Sequence, residues 1–223
     1  MSVEKALQIV SLNIGTPIEI EHNGKPLLTG IYKQPVTGEV YMSRLQLSGD
    51  GQGDTVHHGG VDKAVCIYPY EHYPKWEQEF NKKLEAAAFG ENLTTAGLLE
   101  HEVYIGDTYR LGEAVIQVSQ PRFPCFKLAK KHDIPQLPAR VLDTGYSGFY
   151  VRVLQEGWIS AGSTLELLER DPAEVTVAEV LGFLAAGKKK ADYGRLRELV
   201  QIEALATNVR EKFTKWIEEQ QLA

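Results

Sequence analysis

Turn signals interrupt this chain so often, up to residue 170, that short strands are the only elements with room to form. "ALQIVSLNIG" opens with a strand, and "PIEIEHNGKPLLTGI" places Asn23-Gly24 between two extended runs, a hairpin signature. "GEVYMSRLQLSGD" adds one or two strands, and "DKAVCIYPYEHY" another before a helix near "HYPKWEQEFNKKL". "EVYIGDTYRLGEAVIQVSQPR" carries Gly106-Asp107 and Gly112-Glu113 and predicts a meander of three short strands. "CFKLAKKHD" and "QLPARVLD" read as short helices, and "SGFYVRVLQEG" and "STLELLER" close the series. Many short strands between closely spaced turns predict a mainly β, barrel-like or sandwich fold.

The pattern changes after "RDPAE". Asp171-Pro172 is a plausible boundary, dividing a β domain over 1–170 from a helical appendage over 171–223. The first helix of the appendage starts at Thr176, with Glu179 at the reciprocal capping position. Val177, Val180, Leu181 and Leu184 form its apolar face. A second helix carries Leu196, Leu199 and Val200. A third starts near Asn208, with Glu211 as its capping partner and Val209, Phe213, Trp216 and Ile217 on one face. This all-α tail holds eight Lys/Arg against nine Asp/Glu, so it lacks the basic excess of a DNA-binding module.

The whole chain of 223 residues carries a formal net charge of -6, which argues against broad nucleic-acid binding and leaves room for a local basic pocket. No apolar run reaches the roughly 18 residues of a membrane span. The first residues lack the pattern of a signal peptide, and two cysteines make no disulfide framework. A cytoplasmic protein is expected.

Three stretches carry the residues suited to chemistry. In "SQPRFPCFKLAKKHD", Pro124 suits the start of a helix, which places Cys125 at its N-terminus. Unpaired N–H groups there favour a thiolate, and Arg122 adds positive charge. The competing reading is a small buried hydrophobe, which is how Cys66 in the apolar strand "KAVCIYPY" is read. In "SGDGQGDTVHHGGVDKAV", glycines allow backbone N–H groups to approach an oxyanion, with His57, His58 and Lys63 supplying charge. Adjacent histidines in an extended segment point to opposite faces and do not make a joint metal site. A polar turn is the alternative, and Asp50, Asp54 and Asp62 read as loop solvation. In "AFGENLTTAGL", Asn92 can donate to and accept from a heterocycle edge, and Glu91 can accept from ring N–H groups. A plain turn into a strand explains that stretch equally well.

"HHGGVDKAV", "FGENLTTAGL" and "VYIGDTYRLGEAVIQVSQPRFPC", in this order, resemble the MOSC domain, named after the C-terminal part of molybdenum-cofactor sulfurases. The likeness runs from about residue 10 to 168 and is nearest to the bacterial YiiM type, whose three-helix "3-alpha" appendage the tail resembles. The resemblance implies a β-barrel-like fold, binding of the molybdenum cofactor (a pterin dithiolene with a phosphate), and Cys125 as the catalytic molybdenum ligand. It further implies reduction of N-hydroxylated compounds such as 6-N-hydroxylaminopurine, a detoxification of base analogues. A thiolate is a soft ligand suited to such a metal. His57, His58, Lys63 and Arg122 are the candidates for the cofactor's charge, and Glu91 and Asn92 for its pterin edge.

Electrons are expected from a separate donor protein, because these residues contain neither a GxGxxG fingerprint nor an iron–sulfur cysteine set. Three other readings of Cys125 stand beside this one. They are a persulfide-carrying sulfur transferase, a non-catalytic cofactor-binding module, and a cysteine hydrolase with His57 or His58 as base.

Overall fold

The computed structural model describes residues 7–53 and 59–222; His57, His58 and Asp54 lie outside the described residues. In chain order the first strands are β1 (Gln8–Ile14), β2 (Ile18–His22), β3 (Lys25–Thr29), β4 (Gln34–Pro35), β5 (Val40–Met42) and β6 (Val65–Pro69). Helix α1 (Tyr73–Phe80) leads to β7 (Leu93–Ala96), β8 (Thr108–Leu111) and β9 (Ala114–Pro121). Helices α2 (Phe126–His132) and α3 (Leu137–Thr144) precede β10 (Phe149–Gln155), β11 (Gly157–Ile159) and β12 (Leu165–Glu169). The tail is α4 (Val177–Ala186), α5 (Tyr193–Leu199) and α6 (Thr207–Gln221).

Eight strands form one curled, half-barrel sheet in the order β12-β8-β9-β10-β6-β7-β1-β4. Only β6 and β7 run parallel, joined by the crossover that contains α1. β6 is buried along its whole length, as its unbroken apolar run requires, whereas β9 and β10 begin with alternating burial. The Asn23-Gly24 turn closes the β2–β3 hairpin as expected, with both residues at positive φ.

One large core fills the concave side of the sheet. Leu12, Ile67, Val118, Phe149 and Val151 of the strands share it with Val177, Val180, Leu196, Leu199, Val209 and Phe213 of the tail. The tail therefore packs on the sheet and shares its core. A smaller, aromatic core lies under α1, α2 and α3, where Tyr68 stacks on Phe89 at 4.0 Å and accepts a 2.7 Å hydrogen bond from the Trp76 indole N–H.

Two local expectations are corrected. The stretch before β8 is a pair of turns, so the meander has two strands, β8 and β9. The cause is Asp107, fully buried, whose carboxylate accepts from the Tyr104 N–H at 3.2 Å while Gly106 takes a φ of 97°. The third tail helix begins at Thr207, after Ala206, which offers no side-chain cap. The Thr176 cap is made as expected: its hydroxyl accepts the Glu179 N–H at 3.0 Å.

Because sheet and tail share a core, Phe213→Ala is expected to cost about 3–5 kcal/mol. Denaturation followed by aromatic fluorescence and by far-UV circular dichroism should show one coincident transition. Two separated transitions would mean that the helices fold on their own.

Candidate functional site

Beside the row where Tyr150 of β10 faces both Cys66 of β6 and Gln120 of β9, a cleft of about 620 Å³ opens. Besides Cys66 and Tyr150, five separate segments build it. Thr29 to Lys33 follow β3, Asp50 to Gly53 form a loop, and Lys63 ends a tight 3₁₀ turn over Val61–Lys63. Gly90 and Asn92 precede β7, and Arg122, Phe123, Cys125 and Lys127 follow β9.

The glycines of "SGDGQGD" serve close packing. A Cβ on Gly30 would collide with the Gly51 carbonyl oxygen, and one on Gly53 would lie 2.5 Å from that of Leu28. The Gly51 N–H is already given to Gly15 O at 3.1 Å, so the loop's glycines at this point pack the chain and do not present an anion nest. Asp50 is likewise not loop solvation. Buried, it accepts from Gly15 N–H at 3.0 Å, from the Asn92 amide at 2.8 Å and from the Lys33 ammonium, with which it pairs.

Cys125 occupies the N-cap position of α2 in extended conformation and is half-buried on the cleft wall. Cys66 is buried in β6, as expected of a packing residue, yet it also reaches the cleft; burial pushes its thiol up to about 11. Arg122 is buried and donates to Phe89 O. Burial opposes its charge, but Cys66, Tyr150, Cys125 and Glu91 more than offset this and keep the guanidinium protonated.

Asn92 lines the cleft with its amide already committed. Its oxygen accepts from Cys66 N–H at 3.0 Å, and its nitrogen donates to Asp50 and to Asn13 O at 3.3 Å. Glu91 is not on the cleft wall. Fully buried, it accepts from Tyr73 O–H, from Thr94 O–H at 2.8 Å and from Phe89 N–H at 3.0 Å, inside the fold and away from the cleft. It fixes the loop that holds Asn92 and the Phe89 carbonyl.

Three contributors escaped sequence reading: Lys33, Lys127 and Tyr150. Lys127 is buried, faces the cleft, and has no hydrogen-bond or ion-pair partner among the described residues. Its signal was present in the basic run after Cys125. Lys33 carried none, because it arrives through the return of the chain after the hairpin. Among the described residues, Lys33 and Lys127 with Lys63 and Arg122 make four cationic side chains around one carboxylate, Asp50. The local field is felt next door: Lys131 is lowered to about 8, mainly by burial, with Arg122 and Lys33 adding to the shift against Glu91.

The chain matches the family profile "MOSC domain" over residues 54–166 and "YiiM-like, 3-alpha helix domain" over 175–220. It belongs to the MOSC-domain family, in its YiiM-like branch. It is 53% identical to the uncharacterized protein YflK of Bacillus subtilis, covering 78% of this chain and 79% of that protein. It is 46% identical to protein YiiM of Escherichia coli, over 73% and 72% of the two chains. A longer protein of Gibberella moniliformis, named a reductase, is 38% identical over 70% of this chain and 28% of its own length. The crystal structure of YiiM from Geobacillus stearothermophilus superposes with a TM-score of 0.80 at 38% identity, over 95% and 99% of the chains.

In this MOSC domain the cleft draws on segments inside the matched region and on two stretches before it, Thr29 to Lys33 and Asp50 to Gly53. MOSC domains are associated with molybdenum-cofactor chemistry, and the fold matches that of YiiM. No helix of the described residues is long and apolar enough to cross a membrane.

The two thiols differ in access, and burial holds that of Cys66 protonated, so iodoacetamide at pH 8 should alkylate Cys125 and spare Cys66 until the protein unfolds. Cys66 also makes stability fall on the alkaline side. Its folded value, near 11, exceeds its unfolded one, so the contribution is complete below about 9 and is lost as pH rises towards 11. Mass spectrometry of labelled peptides checks the first expectation. Denaturation of Cys66→Ala against the parent between pH 8 and 11 checks the second.

Proposed function

We propose that the cleft holds the molybdenum cofactor and that the protein is a reductase of N-hydroxylated compounds, 6-N-hydroxylaminopurine among them. The observation that carries this reading is Lys127: a buried ammonium with no partner among the described residues, facing a cleft whose wall also bears a half-exposed thiol. An unpaired buried charge is costly, and an anionic ligand would relieve that cost. A pterin dithiolene with a phosphate is such an anion, and the donor set fits it.

In this reading Lys127, Lys63 and Arg122 meet the negative charge of the group. Cys125 is the soft ligand for its metal. Asn92 does not read the pterin edge with its amide, which is spent on Cys66, Asp50 and Asn13; it holds the cleft wall in place. Glu91, with Tyr73, Thr94 and the Phe89 N–H around it, steadies the carbonyl that binds Arg122. When bound, the cofactor supplies the two-electron chemistry that removes the hydroxyl oxygen of an N–OH group as water. Lys63 and Lys127 keep the site positive for an anionic group, within a protein whose formal charge is negative. A separate donor protein provides the electrons. The fungal relative, named a reductase, supports the reductive direction.

Metal analysis of protein isolated from a molybdenum-replete host should find stoichiometric molybdenum, together with pterin fluorescence after oxidation. Reduced methyl viologen should drive conversion of hydroxylaminopurine to adenine. Cys125→Ser should keep the fold by circular dichroism and lose this activity. A Cys125→Ser protein with full turnover at full cofactor loading would sink the assignment, and sulfane sulfur on Cys125 without bound pterin would favour a sulfur carrier.

A further inference from the structure

Helix α6, 15 residues long, begins without a cap of its own, because Ala206 has no acceptor side chain. Its first N–H, that of Thr207, is taken instead by a residue 145 positions earlier: Asp62 Oδ2 accepts it at 2.9 Å. A carboxylate at a helix N-terminus is well placed, since the orphan N–H groups and the macrodipole both favour negative charge. The other oxygen of Asp62 pairs with Arg152 of β10 at 2.8 Å. Arg152 in turn donates to Gln117 of β9 at 2.9 Å.

The backbone of the same turn is also gripped. Fully buried Ser119 has its hydroxyl 2.6 Å from Asp62 O and 3.0 Å from Tyr150 O, and its own carbonyl accepts from Ala206 N–H at 3.0 Å. Asp62 lies at the centre of the 3₁₀ turn Val61–Lys63, and the next residue, Lys63, is on the cleft wall. The same helix reaches the cleft mouth once more: the Lys212 ammonium lies 5.9 Å from the ring of Phe123, another wall residue.

We infer that Asp62 is a positioning residue, locking the start of α6 to the turn that carries Lys63, so that the three-helix tail holds one wall of the cleft in place. Asp62 acts through Lys63 and touches no ligand. The functional consequence rests on the reading of the cleft as an oxyanion site; the mechanical coupling does not.

The test uses the full chain as the parent, Asp62→Ala, and Asp62→Ala combined with Ala206→Ser, which gives α6 a cap of its own. Amide hydrogen exchange over residues 59–65 reads the turn, melting temperature reads stability, and calorimetry with inorganic pyrophosphate reads the cleft. In Asp62→Ala, exchange of the turn should accelerate, and pyrophosphate should bind roughly tenfold more weakly, the size outer partners exert on the groups they orient. In the double variant the melting temperature should recover while fast exchange and weak binding persist. Full recovery of both with the new cap would reduce Asp62 to a helix cap, and unchanged exchange in Asp62→Ala would refute the coupling. If the parent binds no pyrophosphate, the oxyanion reading of the cleft fails, and exchange in the three proteins still decides the coupling.

Discussion

Asn92 and Asp50 hold the cleft together. Between them they engage Asn13 and Gly15 at the end of β1, Lys33 after the hairpin, and Cys66 on β6. The backbone repeats the tie, with Asn92 N–H on Cys66 O at 2.8 Å and Asn13 N–H on Asn92 O at 2.7 Å. Asn13, Lys33, Asp50, Cys66 and Asn92 are all buried, so each depends on the others for satisfaction. Removing one member of a buried ion pair such as Lys33–Asp50 costs about 3–5 kcal/mol, because the survivor is left charged and unpaired. A wall built this way has one arrangement.

The segments that were legible in the sequence are those whose signal is local. The hairpin at Asn23-Gly24 needs positive φ at both turn residues, and the sequence shows the pair suited to it. The Thr176 cap and the start of α2 after Pro124-Cys125 are decided within four residues. The expected third strand of the meander failed for a reason that is not local. Asp107 also accepts from the Asp171 N–H at 3.2 Å and pairs with Arg170, so a tertiary contact folds the segment into turns. The same limit applies to Glu91. Its residue type suits ligand recognition, yet Tyr73 reaches it from helix α1 and, with neighbouring Thr94, holds it inside the fold.

The charge distribution follows the same division. Counting residues gives an acidic protein, and that count is correct for the surface a partner meets at long range. Four cations converge on the cleft because the fold brings together Lys33, Lys63, Arg122 and Lys127 from distant parts of the chain. The burial of Arg122 and Lys127 strengthens their effect on an anion, since less water screens them. Their cost to the folded state is met unequally: Arg122 has Phe89 O and the field of Glu91, while Lys127 has no partner among the described residues. Stability spent on an unpaired charge is the pattern expected where a ligand completes the structure.

The helical tail fits into this argument as part of the site's mechanics. A sequence boundary at Asp171-Pro172 suggests an appendage, and three short helices with apolar stripes suit either a bundle of their own or packing on the barrel. Those faces are spent on the sheet's core, through Val177, Val180, Val209 and Phe213. A core shared in this way transmits position, because close-packed interiors deform little before they rearrange. The tail thus bears on the cleft both by packing and through the Asp62 contact at its last helix. Two segments that read as separate units in the sequence make one rigid wall in the fold.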